Sequence, residues 1–479
     1  MTTADDRLET RPASRTVVHL TRERRAARGK QARRALPLAG HADPGPTKAR
    51  PDPVALLESQ AASRVPDLVP IRYGRMLTSP FAFYRGAALV MATDLAALPD
   101  SGLRVQLCGD AHMSNFGFFA SPERRLVFDA NDFDETLPGP FEWDVKRLAA
   151  SLEVAGRDNG FKPKDRRKIV LEAVRAYREA MREFADQTNM TVWYAALDVE
   201  SLLDQVRAHL RPEALKRTEA ELAKARTRDS MQALSKLTAT VDGRIRIISD
   251  PPLVVPVEEL FPDDDVEQLY DEIRHLVRAY RRTLQPDRRI LLEQFRLVQM
   301  AHKVVGVGSV GSRAWILLLE GVDRDDPLFL QAKEAQRSVL EQGAGPSRYD
   351  NQGQRVVLGQ RLMQAASDIF LGWQRNEGVD GVTRDFYVRQ LRDWKRSIEP
   401  SQMVPTGMQV YGRACAWSLA RAHARSGDRV AIAAYLGRKD TFDQAVASFA
   451  ADYADRNQAD GDALADAART GRITATSGV

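Results

Sequence analysis

The sequence predicts an α+β protein with two lobes, a large and mostly helical one and a small one built on an antiparallel sheet. Helical periodicity is strong across residues 163–240, where apolar side chains recur at steps of three and four residues. Short apolar runs bounded by turn residues predict strands within residues 103–128 and again within residues 300–335. The predicted parts are a disordered basic arm (1–50), the large lobe (51–240), the small lobe (241–395) and C-terminal helices that return to the large lobe (396–470).

The composition is that of a globular protein, with 43% hydrophobic and 28% charged residues among 479. Two cysteines, Cys108 and Cys415, are too few for a disulfide framework or a thiolate metal site. No apolar run has membrane-spanning length and the first residues lack the apolar core of a signal peptide, so we expect a cytoplasmic protein without a membrane partner. The net charge of +5 includes an arginine-rich N-terminal arm, which a solvated tail explains better than a nucleic-acid partner.

The residues before the first strand predict little regular structure in the arm and two helices after it. In the arm we expect at most a transient helix between Glu23 and Arg34, because this segment is rich in arginine and poor in aromatic residues. A helical pattern begins near residue 54, and a second, apolar helix is expected from Ala87 to Leu98.

The most informative segment is the turn Gly109–Asn115, which follows a short apolar run. A second predicted strand, Leu126–Phe128, leads into the acidic cluster Asp129–Glu135. A strand, a turn with Asp and Asn, and a second strand ending in Asp form the catalytic loop and metal site of kinase-type phosphotransferases. On this pattern Asp110 accepts the proton of the attacking hydroxyl, whereas Asn115 and one aspartate of the cluster bind magnesium.

A second motif supplies the groups that would bind ATP. Residues 306–311 have the spacing G-x-G-x-x-G and are followed by a strand-like run, Ala314–Glu320, rather than by the helix that a dinucleotide-binding fold requires. After a turn, another apolar run ends in Lys333. This order is that of the ATP-binding hairpin of a kinase, whose lysine pairs with the phosphates. The alternative is a plain hairpin with a solvated lysine. The predicted nucleotide-binding residues are Gly306, Gly308, Ser309, Gly311 and Lys333.

The order of these two motifs is the reverse of that in a kinase, because the glycine loop and its lysine follow the catalytic turn by some two hundred residues. Beyond the lysine we expect a long helix, Val356–Trp373, where a kinase has its small-lobe helix, and a strand, Phe386–Leu391, where it has its hinge. The next helix, Gln409–His423, corresponds to the one that leads into the catalytic loop. The sequence therefore predicts a circularly permuted kinase-like fold, which is feasible because the termini of a domain often lie close together.

Several long motifs together resemble one bacterial family. From about residue 50 to residue 460 the chain resembles the domain of unknown function family numbered 2252. Its catalytic turn is also similar to that of aminoglycoside phosphotransferases. No His-Arg precedes Asp110, and Asp-Phe-Asp stands where protein kinases have Asp-Phe-Gly, so the resemblance favours a small-molecule kinase. The motifs are residues 79–86, 109–117, 131–135, 304–311, 333–335 and 420–428.

The spacing of the acidic cluster selects one metal ligand among three aspartates. Asp132 lies twelve residues before Asp144, as the metal-binding Asp of aminoglycoside-type kinases lies before the Asp that opens the next helix. We therefore prefer Asp132, with Asp129 and Asp134 as alternatives, and expect Asp144 to cap its helix.

Three further side chains are candidates for binding a phosphate or an anionic substrate: Arg85, His112 and Arg425. Each has a structural alternative. Arg85 stacks equally well on Phe83, a single turn histidine is often structural, and Arg425 lies near a helix end.

The predicted function is ATP- and magnesium-dependent phosphoryl transfer to an unknown small molecule or protein side chain. A metal-dependent phosphoesterase is the alternative, because Asp110, His112 and the acidic cluster would suit a two-metal site. Only 7 histidines and no partner motif accompany that cluster, which weakens the alternative. A third interpretation is a pseudo-enzyme that binds nucleotide without turnover.

Overall fold

The computed structural model describes residues 18–45, 50–199, 230–241, 244–262, 266–304, 310–323, 325–378, 380–391 and 399–476. Helices and antiparallel strands are both abundant in these residues, which confirms the predicted α+β class. No helix within these ranges combines the length and the apolar character that crossing a membrane requires.

The regular elements are numbered along the chain. The α-helices are α1 (Arg22–Ala35), α2 (Pro53–Ala61), α3 (Val69–Met76), α4 (Pro80–Gly86), α5 (Ala88–Ala96), α6 (Phe141–Asp158), α7 (Pro163–Asp186), α8 (Asn189–Tyr194), α9 (Ser230–Leu237), α10 (Val257–Leu260), α11 (Val266–Arg281), α12 (Pro286–Glu293), α13 (Glu341–Ala344), α14 (Gln352–Met363), α15 (Pro405–Ser426), α16 (Arg429–Leu436) and α17 (Thr441–Arg469). The strands are β1 (Arg104–Leu107), β2 (Phe116–Ala120), β3 (Leu126–Ala130), β4 (Leu137–Pro140), β5 (Leu197–Asp198), β6 (Thr238–Val241), β7 (Arg244–Ile247), β8 (Val254–Pro256), β9 (Arg296–Lys303), β10 (Ala314–Glu320), β11 (Pro327–Ala335), β12 (Gly372–Glu377) and β13 (Thr383–Gln390).

A six-stranded antiparallel sheet forms the small lobe, with the strand order β12-β13-β11-β10-β9-β8. Strands β9, β10 and β11 follow one another as a meander, whereas β13 lies beside β11 and β12 lies at one edge. Strand β11 is buried along its whole length, because Leu328 and Leu330 pack on one core cluster and Phe329 packs on another. The sheet therefore places Lys333 in its interior, directly opposite Tyr387 of β13.

Several predicted elements occur where they were expected. Helix α5 lies within the predicted range, strand β13 covers most of Phe386–Leu391, and α15 contains the predicted helix Gln409–His423. Strands β6 and β7 pair as a hairpin, although its expected turn residues, Asp242 and Gly243, lie outside the described residues.

The helix after β11 is shorter than predicted, since it ends at Met363 and Trp373 lies in β12. The chain leaves the helical path at Gln364, whose backbone is extended, and the next amide, that of Ala365, donates to Asp129 Oδ2 at 2.8 Å. Phe370 then packs in the core of the small lobe, and its carbonyl oxygen accepts a hydrogen bond from the Tyr280 hydroxyl. The apolar residues that suggested a longer helix therefore belong to the core beneath the sheet.

Long helices form the core of the large lobe. Helix α15 packs along α7, and both α6 and α17 pack against α7. Helix α6 is buried over Phe141–Gly156, which means that helices and strands surround it on all sides. Strand β1 pairs with β4 and β2 pairs with β3, so the Gly109–Asn115 turn, between β1 and β2, and the end of the acidic cluster, between β3 and β4, connect the same two strand pairs.

Residues 18–45 are ordered and contain helix α1, which contradicts the prediction of a disordered arm in this range. Helix α1 packs on α16 so closely that a Cβ added to Gly29 would lie 2.0 Å from the Ala431 carbonyl oxygen. Beyond the helix, His41 is buried with its Nε2 atom 2.6 Å from the Tyr435 hydroxyl. Burial, and then the charge of Lys146, lower the pKa of His41 to about 3. Long-range packing, which arginine-rich composition does not reveal, orders this segment.

Gly29→Ala should destabilise the protein by about 1–3 kcal/mol, because the added methyl group meets backbone atoms that no side-chain rotation relieves. Urea unfolding measures the change. Gly407→Ala is the matched control, since its nearest contact would be Val404 Cγ2 at 3.8 Å. It should leave the free energy of unfolding unchanged or raise it by up to about 1 kcal/mol through helix propensity. Equal stability of the two variants would show that α1 is not docked.

Candidate functional site

The Gly109–Asn115 turn, in which the sequence predicts the catalytic base, is fixed by a close backbone approach and by a buried carboxylate. Gly109 has a φ of +88°, and a Cβ there would lie 2.3 Å from the carbonyl oxygen of Glu135. Only glycine suits both the conformation and the approach. Asp144 does not cap α6 as predicted, but accepts hydrogen bonds from the amides of Cys108 and Gly109 at 2.8 and 3.0 Å. This carboxylate ties the turn to α6.

Asp110 is held by an arginine of α6. The Nε and Nη2 atoms of Arg147 both lie 2.8 Å from Asp110 Oδ1. Burial by itself would lower the pKa of Arg147, but Asp110 and Tyr84 raise it above its usual value, so the guanidinium stays charged. The other carboxylate oxygen, Oδ2, lies 3.7 Å from His112 Nε2. The ion pair therefore fixes the orientation of Asp110 through one oxygen only.

Asn115 and Asp132 approach each other where the catalytic turn meets the end of β3. Asn115 Nδ2 donates to the Asp110 carbonyl oxygen at 2.9 Å, and the Asn115 carbonyl oxygen accepts from the amide of Asn131 at 2.8 Å. The first bond uses the carboxamide nitrogen of Asn115 as the donor. The side-chain oxygen of Asn115 is therefore the atom available to a cation. A carboxamide oxygen and a carboxylate are ligands that magnesium prefers, and Asn115 with Asp132 fits the predicted site.

Lys333 reaches from the small lobe into the acidic cluster. Its Nζ forms an ion pair with Asp134, whose other oxygen accepts a hydrogen bond from the Tyr387 hydroxyl at 2.7 Å. Burial by itself would lower the pKa of Lys333, but the carboxylate of Asp134 raises it above its usual value. Asp134, an alternative metal ligand in the prediction, is thus engaged by the lysine and by Tyr387.

One cavity of about 170 Å³ lies between the two lobes and collects these groups. The structure therefore brings the predicted base and the predicted phosphate-binding lysine together, although they are more than two hundred residues apart in sequence. Its lining includes Asp110, Asn115, Asp132, Lys333, Arg85 and His112.

A larger and more open cleft of about 870 Å³ adjoins this cavity, because Gln60, Arg64, Asp134 and Glu135 line both. The small cavity is too narrow for a whole nucleotide, whereas pockets of several hundred Å³ are typical of such ligands. A bound nucleotide would therefore extend from the cavity into the cleft.

The structure does not place Asp129 in the cavity, which corrects its choice as an alternative magnesium ligand. Its side chain is 1% exposed, and its Oδ2 accepts from Arg421 Nη2 at 2.6 Å and from the amide of Ala365 at 2.8 Å. Strand β3 alternates its side chains, so Asp129 points to the core while the residues after the strand reach the cavity.

Arg425 also lies away from the cavity, contrary to the prediction. Its guanidinium stacks on Trp193 at 4.0 Å from the ring centroid, and its Nη1 donates to the Gln364 carbonyl oxygen at 2.5 Å. The residue joins α15 to α8 and to the segment after α14.

The glycine segment is described only at its end, because Gly306, Gly308 and Ser309 lie outside the described residues. Gly311 has a φ of +89°, and its carbonyl oxygen accepts from the amide of Val65 at 2.8 Å. Arg64 Nη1 donates to the Val310 carbonyl oxygen at 2.5 Å. The end of the segment is therefore held by the connection between α2 and α3.

Two arginines at the site, Arg147 and Arg72, were missed by the sequence analysis. Arg147 follows Asp144 by three residues, so both lie on one face of a helix, and this spacing after the turn motif was an available signal. Arg72 lines the cavity from α3, where no motif accompanies it. Only the packing of α3 in the large lobe shows that Arg72 lies at the cavity.

Within the described ranges, no group of three or more His, Cys, Asp or Glu side chains is arranged to hold a metal ion. Magnesium often takes only one or two protein ligands and completes its shell with water and phosphate oxygens. Asn115 and Asp132 meet that smaller requirement.

Glu135 gives the site a pH-dependent stability. Burial raises the pKa of its carboxyl from 4.5 to about 7, with smaller contributions from Asp134 and Asp110, while the hydrogen bond from the Val339 amide acts in the opposite direction. The folded protein therefore holds this proton more tightly than the unfolded chain does. The resulting stabilisation is complete below pH 4.5 and is lost as the pH rises to about 7.

Glu135→Gln should remove this loss, because an amide does not titrate. From pH 4.5 to pH 7 the stability of the wild type should fall relative to that of the variant, and the difference should be constant at higher pH. Urea unfolding at a series of pH values measures both. Glu123→Gln, at an exposed position, should follow the wild type. A pH-independent difference between wild type and Glu135→Gln would contradict the raised pKa.

Comparison with known proteins adds a family but no described activity. No curated protein and no solved structure matches the chain. A family described as an uncharacterized protein conserved in bacteria (DUF2252) matches residues 64–467. This range includes all the cavity-lining residues except Gln60. Because the match covers most of the sequence, the chain belongs to the DUF2252 family.

Proposed function

We propose that the protein is a kinase-like phosphotransferase that uses ATP and magnesium. The observation that carries the proposal is the single cavity to which the sheet contributes Lys333 and the helical lobe contributes Asp110, Asn115 and Asp132. A strand lysine, a base and two metal ligands around one cleft are the parts that phosphoryl transfer requires. The acceptor is a small molecule or a protein side chain.

The topology of the small lobe supports a kinase-like and circularly permuted fold. Strands β9, β10 and β11, helix α14 and strands β12 and β13 follow in this order, and β13 returns to the side of β11. A kinase small lobe has the same arrangement, with the glycine loop in the first hairpin and the lysine on the third strand. The turn with Asp110 precedes this lobe in the chain. A permuted kinase would therefore lack the link between the helix that follows the hinge strand and the catalytic loop.

Each side chain then has a definite task in the transfer. Magnesium, when bound, would neutralise the phosphate charges. Asp110 would orient the acceptor hydroxyl and take its proton, while Arg147 holds the carboxylate in place. Asn115 and Asp132 would hold the metal, and Lys333 would exchange Asp134 for the α- and β-phosphates. Because the groups are positioned before binding, they need little reorganisation during the reaction.

One feature differs from protein kinases, in which a glutamate of the small-lobe helix pairs with the strand lysine. Here α14 contributes Arg355, whose guanidinium donates to the carbonyl oxygens of Asp134, Thr136 and Gln336 at 2.7–2.8 Å. The helix therefore supports the acidic cluster, which in turn holds Lys333.

A metal-dependent phosphoesterase is supported less well. It would need several carboxylates and histidines to bridge two metal ions. Asp129 is engaged by Arg421, and Asp134 is engaged by Lys333. A phosphoesterase would hydrolyse phosphoesters without ATP, and a pseudo-enzyme would bind ATP without transferring its phosphate.

Lys333→Ala should weaken the affinity for ATP at least tenfold, which corresponds to about 1.4 kcal/mol, because the lysine pairs with the phosphates. Calorimetric titration measures this affinity, and circular dichroism checks that the variant is folded. Lys439→Ala, at an exposed position, is the control and should bind ATP as the wild type does. Unchanged ATP affinity in folded Lys333→Ala would remove the small-lobe assignment.

Asp132→Ala and Asn115→Ala should each abolish the part of the thermal stabilisation by ATP that depends on magnesium. Asp129→Asn should lower the melting temperature, because it weakens the ion pair with Arg421, but should retain the magnesium-dependent shift. Melting curves with ATP, with and without magnesium, distinguish the two effects. If Asp129→Asn loses the shift and Asp132→Ala keeps it, the metal ligand has been assigned to the wrong aspartate.

A further inference from the structure

The cavity has a cationic wall that the nucleotide-binding groups do not explain. Arg72 of α3 and Arg85 of α4 both line it, together with His112 of the catalytic turn. Lys333 and Arg147 are paired with Asp134 and Asp110. Within the part of the chain that the structure describes, neither Arg72 nor Arg85 has a carboxylate partner, so the wall carries an excess of positive charge.

Arg72 is the central group of this wall. Its side chain is 1% exposed, and its Nη2 donates to Gln60 Oε1 at 2.9 Å and to the Gly86 carbonyl oxygen at 2.8 Å. Its Nε and Nη1 atoms are buried and make no hydrogen bond among the described residues. A buried guanidinium with two unused donors is unfavourable unless a ligand accepts hydrogen bonds from them. Burial, and then the charge of Arg64, lower the pKa of Arg72, as expected for an uncompensated cation.

Arg85 and His112 add further donors beside it. Arg85 Nε and His112 Nδ1 are buried and without a hydrogen-bond partner in the described ranges. Burial, followed by the charges of Arg147 and Arg85, lowers the pKa of His112 to about 4 against the opposing effect of Asp110. The imidazole is therefore neutral near pH 7 and offers one N–H without adding charge.

Arg85 and His112 lie near Asp110, the proposed base. His112 Nε2 is 3.7 Å from Asp110 Oδ2, and the charge of Arg85 acts on the same imidazole. Arg72 adjoins them, because its Nη2 donates to the carbonyl oxygen of Gly86, the residue after Arg85. A molecule whose hydroxyl meets Asp110 would thus present its neighbouring groups to the arginines.

We propose that the acceptor is a small alcohol that already carries a phosphate group, which Arg72, Arg85 and His112 bind. Two guanidinium groups and a neutral N–H match the several oxygens and the double negative charge of a phosphate monoester. This inference rests on the proposed phosphotransfer. In the reaction the acceptor oxygen forms a bond to the γ-phosphorus, the bond from that phosphorus to the β,γ-bridging oxygen breaks, and the hydroxyl proton passes to Asp110. The products are ADP and an acceptor with a second phosphate.

The test uses inorganic phosphate as the probe and calorimetric titration of the full-length protein. Wild type should bind phosphate, and Arg85→Gln should weaken this binding at least tenfold while changing the affinity for ATP with magnesium less than twofold. Arg28→Gln, on the exposed face of α1, is the control and should leave both affinities unchanged. Arg72→Lys keeps the charge but loses the planar donors, so it should also weaken phosphate binding.

The outcomes separate this inference from the proposed function. Absence of phosphate binding in a wild-type protein that binds ATP would overturn the anionic acceptor and leave the phosphotransferase intact. Phosphate binding without any ATP binding would support the anion site and overturn the phosphotransferase. Loss of ATP affinity in Arg85→Gln would assign the arginine to the nucleotide, and equal binding of acetate would replace the phosphate with a carboxylate. Either result would overturn the phosphorylated acceptor.

Discussion

The ion pair between Lys333 and Asp134 connects the sheet of the small lobe with the acidic cluster of the large lobe. Lys333 is buried whereas Asp134 is partly exposed, and a buried charge is costly unless it is paired. The Tyr387 hydroxyl binds the second oxygen of Asp134. Removal of Asp134 would leave Lys333 buried and uncompensated, so this contact stabilises the way in which the two lobes face each other. A phosphate that replaced Asp134 as the partner of Lys333 would exchange one anion for another. Nucleotide binding would then not require the burial of an additional cation.

The other groups of the candidate site are held in the same manner, by buried partners on helices α6 and α14. Asp144 of α6 holds the backbone of the catalytic turn, and Arg147 of the same helix holds Asp110. Arg355 of α14 holds the loop that carries Asp134. Because the supports come from helices that are themselves buried, small displacements of the site are resisted by the packing of both lobes. A permuted chain retains such a site, since it depends on contacts between elements and not on their order.

The sequence predicted those parts of the site that depend on local patterns. Asp110 and Asn115 were found from a turn between two strands, and Lys333 from a strand that ends a glycine-containing hairpin. Asp129 was a poor candidate because strand alternation directs it to the core, a fact that depends on where β3 pairs. Arg425, the order of helix α1 and the early end of α14 depend on neighbours far away in sequence, such as Trp193 and Ala431. Arg72 was not found because its significance is its burial, which a single arginine in a helix does not show.

The distribution of charge across the cavity bears on specificity more than on the chemistry. Carboxylates of the turn and of the acidic cluster line the cavity together with Arg72 and Arg85. On the proposed function, an acceptor with an anionic group would be bound by these arginines, with its hydroxyl toward Asp110. A cationic amine would be repelled by the same arginines. If the protein transfers phosphate as proposed, the turn would supply the reaction while the helices α3 and α4 would supply the recognition, so that the same turn would serve different acceptors.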